Sequence, residues 1–184
     1  MSIEPKIVFT GPPGAGKTTA ISALSDVAPV STDVANHDAG LAKLRTTVGL
    51  DFGCVQLGGG ETVRLYGTPG QSRFDFMWKI LLRNAIGVVL LADNSAPDPL
   101  ADVEQFLVAL SEPLRGLPCV VGIGRMESST SPSLDDYAAL LERHGHVYPL
   151  LPVDVRQRAD VSMLVEMLLA QAEARATLEG EHHG

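Results

Sequence analysis

The stretch Gly11-Pro12-Pro13-Gly14-Ala15-Gly16-Lys17-Thr18 fits the pattern G-x-x-x-x-G-K-[ST]. It follows Lys6-Ile7-Val8-Phe9-Thr10, which reads as a buried strand, and opens a helix expected over 17–26. Strand, glycine-rich turn and helix are the context in which this pattern has a chemical meaning. Glycines let successive backbone N–H groups curl around a phosphate, and the helix N-terminus adds a partial positive charge. Lys17 then reaches the β and γ phosphates, and the Thr18 hydroxyl is placed for Mg²⁺. The expected phosphate-contacting residues are Gly11, Pro13, Gly14, Ala15, Gly16, Lys17, Thr18 and Thr19. The motif implies a nucleoside triphosphate and leaves the base and the reaction open.

Outward from this loop, apolar runs alternate with helix-period segments. Strands are expected over 48–57, 62–66, 86–93, 117–123 and 147–153, and helices over 74–84, 98–112, 133–144 and 161–177. Gly58-Gly59-Gly60 between the second and third strands signals a hairpin. Continuous apolar strands separated by helices predict a mostly parallel sheet covered on both faces. The expected architecture is therefore α/β in three layers: six strands, with 48–57 antiparallel at the edge and helices on either side. There is no internal repeat and no linker, so 1–184 is expected to be one domain.

Composition narrows the classes further. Apolar residues make up 45% and charged residues 20%, which excludes a disordered chain. The 14 Lys+Arg against 22 Asp+Glu leave −8, so no broad electrostatic footprint for nucleic acid exists. No apolar run approaches the ~18 residues of a membrane span. Met1-Ser2-Ile3-Glu4 has no signal-peptide pattern, Ser2 stands where myristoylation needs glycine, and no cysteine lies near the C-terminus. A cytoplasmic location is expected, with Cys54 and Cys119 reduced.

Two further stretches, Thr46-Thr47-Val48-Gly49-Leu50-Asp51-Phe52 and Thr68-Pro69-Gly70-Gln71-Ser72-Arg73-Phe74, resemble the switch I and switch II regions of Ras-like small GTPases. The Thr-Thr before the strand and the Pro before the Gly are closer to the bacterial members, including the gliding-motility type and the group similar to the signal recognition particle receptor β subunit. The resemblance implies the P-loop fold of that family, GTP and GDP as ligands, and Mg²⁺ held by Thr18 and Thr47. It implies that the Gly70 N–H meets the γ-phosphate and that Gln71 orients the attacking water. It also implies slow intrinsic hydrolysis and a switch-reading effector or activating protein, with roadblock-type partners in the bacterial group. Arg45, two residues before Thr47, is a candidate internal arginine finger, with Arg73 the weaker one; a finger supplied by a partner is the alternative.

The sequence departs from the family at two places. The Asp that ends the family's third strand is replaced by Gly67, and Asp51 is a candidate substitute, against an ordinary structural Asp. The family's N/T-K-x-D base motif is here Gly124-Arg125-Met126-Glu127. Glu127 keeps the carboxylate that reads guanine, and Arg125 can lie along the base as Lys does. Asp154 and Val155 stand where the family's backbone N–H groups meet guanine O6. Phe74, Phe76, Met77 and Trp78 crowd the segment after Gln71, as helix core or as an aromatic partner surface. Two rival functions stay open: a P-loop ATPase or kinase, and a nucleotide-binding scaffold without turnover.

Overall fold

The computed structural model of the protein describes residues 5–28, 30–34, 48–128 and 132–181. At its centre is β1 (Lys6–Thr10), flanked in parallel by β4 (Thr62–Gly67) and β5 (Gly87–Asp93). Beyond β5 come β6 (Cys119–Gly124) and β7 (Leu150–Val153), again parallel. Beyond β4 comes β3 (Val48–Gln56), antiparallel, and then β2 (Val30–Val34), antiparallel to β3. The sheet order is β2-β3-β4-β1-β5-β6-β7. The Gly58-Gly59-Gly60 hairpin forms as expected: Leu57 N–H donates to Glu61 at 2.8 Å, and Gly59 and Gly60 take φ of 98° and 85°.

The six expected strands are present, but the described sheet has seven. Residues 48–57 therefore lie one place in from the edge, which β2 occupies. Val30-Ser31-Thr32-Asp33-Val34 does alternate β-branched residues with Ser and Asp, a period-2 signal. At five residues it carries only two and a half repeats, too few to stand out from a loop.

The helices are α1 (Lys17–Leu24), α2 (Asp75–Leu82), α3 (Pro99–Ala109), α4 (Leu134–Arg143) and α5 (Arg158–Glu181). Strand side chains alternate between two cores. Ile7, Phe9, Leu65, Leu91 and Val120 pack on Ile21 and Leu24 of α1 and on Leu164 and Leu168 of α5. Val8, Leu90, Val121 and Ile123 face Trp78 of α2, Phe106 of α3 and Leu140 of α4. Burial on both faces explains why the central strands read as unbroken apolar runs.

β1 has β4 on one side and β5 on the other. Loops leaving the carboxyl ends of these strands diverge, and they leave a crevice above β1 where such sheets bind ligands.

Candidate nucleotide site

The loop from Gly11 to Gly16 joins β1 to α1 across this crevice. Gly16 is the N-cap of α1, at φ 92°, with no side-chain cap and no acidic residue in the first turn. The first-turn N–H groups therefore have no competitor within the helix for an anion. A Cβ on Gly16 would come within 2.7 Å of Val155 Cγ2, so only glycine fits between the loop and the segment after β7.

Lys17 is 8% exposed. Its ammonium donates to the Gly11 and Pro12 carbonyls at 2.7 and 2.8 Å. Burial pulls its pKa down to about 8, against an opposing pull upward from Asp51. Thr18 Oγ1 donates to Asp51 Oδ2 at 2.5 Å. Asp51 lies directly across from Gly67 in the β3–β4 register. A Cβ on Gly67 would sit 3.0 Å from Asp51 Cβ and 3.1 Å from its carboxylate oxygen. The Asp51 carboxylate thus lies against the space that a side chain at 67 would fill.

A cavity of about 570 Å³ opens along this loop. Gly14, Ala15, Gly16, Lys17, Thr18 and Thr19 line it, and so do Arg125, Glu127, Asp154 and Val155, so expected phosphate residues and expected base residues share one cavity. Gly11 and Pro13 do not reach it: Gly11 is buried under the loop and Pro13 points to solvent, with no N–H to offer. Gly70 and Gln71 also lie outside the cavity lining. Gly70 instead packs on Pro12 and Pro13, where an added Cβ would come within 2.6 Å of Pro13 N. Gln71 is exposed. Arg73 stacks over the Phe74 ring at 4.9 Å. Thr47 and Arg45 lie outside the described residues.

Among the expected base residues, Arg125 adopts φ 57° and pairs with Asp93 at the end of β5. Asn94 N–H donates to the Gly124 carbonyl at 3.0 Å, which ties the two strand ends together. Asp154 differs from expectation. Its N–H already donates to Asp160 Oδ2 at 2.8 Å, which leaves Val155 to offer a backbone donor. Arg156 grips the Asp154 carboxylate through Nε at 2.8 Å and Nη2 at 2.7 Å, and this pairing pulls the Asp154 pKa down to about 2. Arg156, in the same segment as Asp154 and Val155, also lines the cavity; Ser128, another lining residue, and Asp93, the partner of Arg125, had no signal in the sequence reading. Asp93 is findable only from register, since it stands beside Gly124 in the β5–β6 pairing.

The fold has the architecture of the small GTPases, with the Gly11–Thr18 motif in the loop between β1 and α1. No protein-family model matches the chain. Over 109 residues it is 31% identical to the Ras-related protein Rab-44 of Mus musculus, a match spanning 58% of this chain and 10% of that protein. Its fold is similar to that of the Arl6 BBS3 small GTPase from Trypanosoma brucei with bound nucleotide analogue GppNp. That likeness has a TM-score of 0.70 and 16% identity, and covers 94% of this chain and 99% of the other. No helix among the described residues is long and apolar enough to cross a membrane.

Proposed function

We propose that residues 1–184 form one Ras-like GTP-binding domain that acts as a nucleotide-dependent switch and hydrolyses GTP slowly unless a partner assists. One observation carries the reading: a single cavity is lined both by the phosphate loop with its buried Lys17 and by Arg125 and Glu127. Rab-44 and the GppNp-bound Arl6 structure support it. The bacterial affiliation and a cytoplasmic location belong to the same proposal, on the Thr68-Pro69-Gly70 sequence and two unpaired cysteines.

Lys17 and the α1 N-terminus neutralise the β and γ phosphates. Gly70 N–H meets the γ-phosphate, Gln71 orients the attacking water, and Arg45 or a partner's arginine stabilises the transition-state charge. The residues present fit Mg²⁺, since a hydroxyl and a carboxylate meet at Thr18 and Asp51, and Mg²⁺ commonly takes one or two such groups with phosphates and water. Thr47 is proposed as a further protein ligand in the triphosphate state. When bound, Mg²⁺ held by these residues would supply positive charge that offsets the charge of the phosphates. Phe76 and Ile80 on α2, 56% and 57% exposed just after Gln71, offer an apolar surface to an effector or activating protein, for which a roadblock-type partner is the proposal.

The test is a nucleotide panel followed by single-turnover hydrolysis. GTP and GDP should bind more tightly than ATP and ADP, and Glu127→Ala should erase that preference. Gln71→Leu should bind GTP normally and hydrolyse it more slowly than wild type, itself expected at about 10⁻⁴ to 10⁻² per second. Equal guanine and adenine affinities would overturn the GTPase reading in favour of an ATPase or kinase. Guanine binding without turnover, alone or with a partner, would leave a scaffold.

A further inference from the structure

Trp78 is the chain's sole tryptophan, and it is 1% exposed. Its indole Nε1–H donates to the Pro69 carbonyl at 2.7 Å. Its ring stacks on Phe106 of α3, with centroids 4.3 Å apart and planes 24° apart. A buried indole N–H needs an acceptor, and many carbonyls would satisfy it. The one it takes belongs to the peptide unit that carries the Gly70 N–H. A peptide unit is planar, and in its ordinary trans form its C=O and N–H point in opposite directions. Fixing the Pro69 oxygen therefore also fixes the direction of the Gly70 hydrogen.

The other side of this peptide is held as well. Gly70 lies against Pro12 and Pro13, with no room for a Cβ. Thr68, one residue back, donates its N–H to the Phe9 carbonyl and its hydroxyl to Thr10, both at 2.9 Å. Among the described residues, no backbone acceptor meets the Gly70 N–H. The peptide is clamped between the phosphate loop and a buried aromatic pair, with its donor turned away from the indole.

We propose that Trp78 is a positioning residue: its indole N–H orients the Pro69–Gly70 peptide so that the Gly70 N–H is preset for a γ-phosphate. This rests on the switch reading above, in which Gly70 senses that phosphate. Its consequence is selective. A diphosphate never reaches Gly70, so losing the indole donor should weaken triphosphate binding and leave diphosphate binding alone.

Two variants of the full chain separate positioning from packing. Trp78→Phe removes the donor and part of the stack. Replacing the single tryptophan with benzothienylalanine removes only the N–H and keeps the ring's shape. Dissociation constants for GDP and GppNp, with Mg²⁺, are the readout. The expected result for both variants is unchanged GDP affinity and GppNp affinity about three- to tenfold weaker, the range of one hydrogen bond. Benzothienylalanine protein that binds both nucleotides as wild type does, or loses both equally, overturns the assignment while the switch reading stands. Wild-type protein that binds no guanine nucleotide ends the switch reading and this inference with it.

Discussion

Lys17 turns its ammonium onto two carbonyls of its own loop, and burial holds its pKa near 8. A triphosphate in the cavity would favour the charged form and raise that value again. Above pH 8 binding must then take up a proton, so affinity for GTP should fall by up to about tenfold per pH unit. The Lys17 contribution to this dependence should vanish below about pH 7. Calorimetry in buffers of different ionisation enthalpy checks this by counting the proton. Stability has the opposite slope. The unfolded chain keeps the Lys17 proton up to about 10.5, so between pH 8 and 10.5 it binds more protons than the folded chain, and this lysine's burial penalty is relieved as pH rises. Lys17→Ala should abolish triphosphate binding. Asp51→Asn should raise the Mg²⁺ concentration for half-maximal GTP binding by about 10- to 100-fold, followed by titration at fixed nucleotide. The placement of Lys17, buried against the loop and lining the cavity, was legible from its motif alone. Asp51 was legible only as a candidate, because a cross-strand neighbour appears once the β3–β4 register is known.

At the scale of elements, the capped helix starts were readable, whereas the closing helix, expected over 161–177, runs Arg158–Glu181. Pro99 stands in the first turn of α3, and the Asp98 carboxylate accepts from the Ala101 N–H at 3.1 Å. Ser133 and Asp136 close a capping box on α4. Asp98→Ala removes a cap far from the cavity and should cost about 1 kcal/mol. That corresponds to a melting temperature roughly 2–4 °C lower for a chain of this size, with nucleotide affinity unchanged, measured by calorimetric scanning. Strand ends matched within two residues except at the start of β7. The residues 147–149 look as apolar as the strand they precede, yet β7 begins at Leu150, and Val147 is 91% exposed. Apolar composition alone sets neither burial nor pairing, which depend on a neighbour: β7 pairs from Leu150 opposite Val121. The same reason hid β2, whose partner β3 lies across a long connection.

The whole molecule has two cores separated by one sheet, and the nucleotide cavity touches the loops that leave β1, β6 and β7. A ligand there ties α1 to the ends of several strands, so it should stabilise the fold as a unit. At a hundred times its dissociation constant, GDP should add about 2.7 kcal/mol. The melting temperature should rise by roughly 5–10 °C. ATP at the same concentration should add much less. A thermal-shift panel decides it, and equal shifts for guanine and adenine nucleotides would contradict the guanine assignment. The same arrangement makes the protein its own optical instrument. With one indole in the chain, wedged between the Pro69 carbonyl and the Phe106 ring, emission excited at long wavelengths, where the three tyrosines absorb little, comes from a single place. Exchange of GDP for a triphosphate should change that emission in real time, with no dye attached.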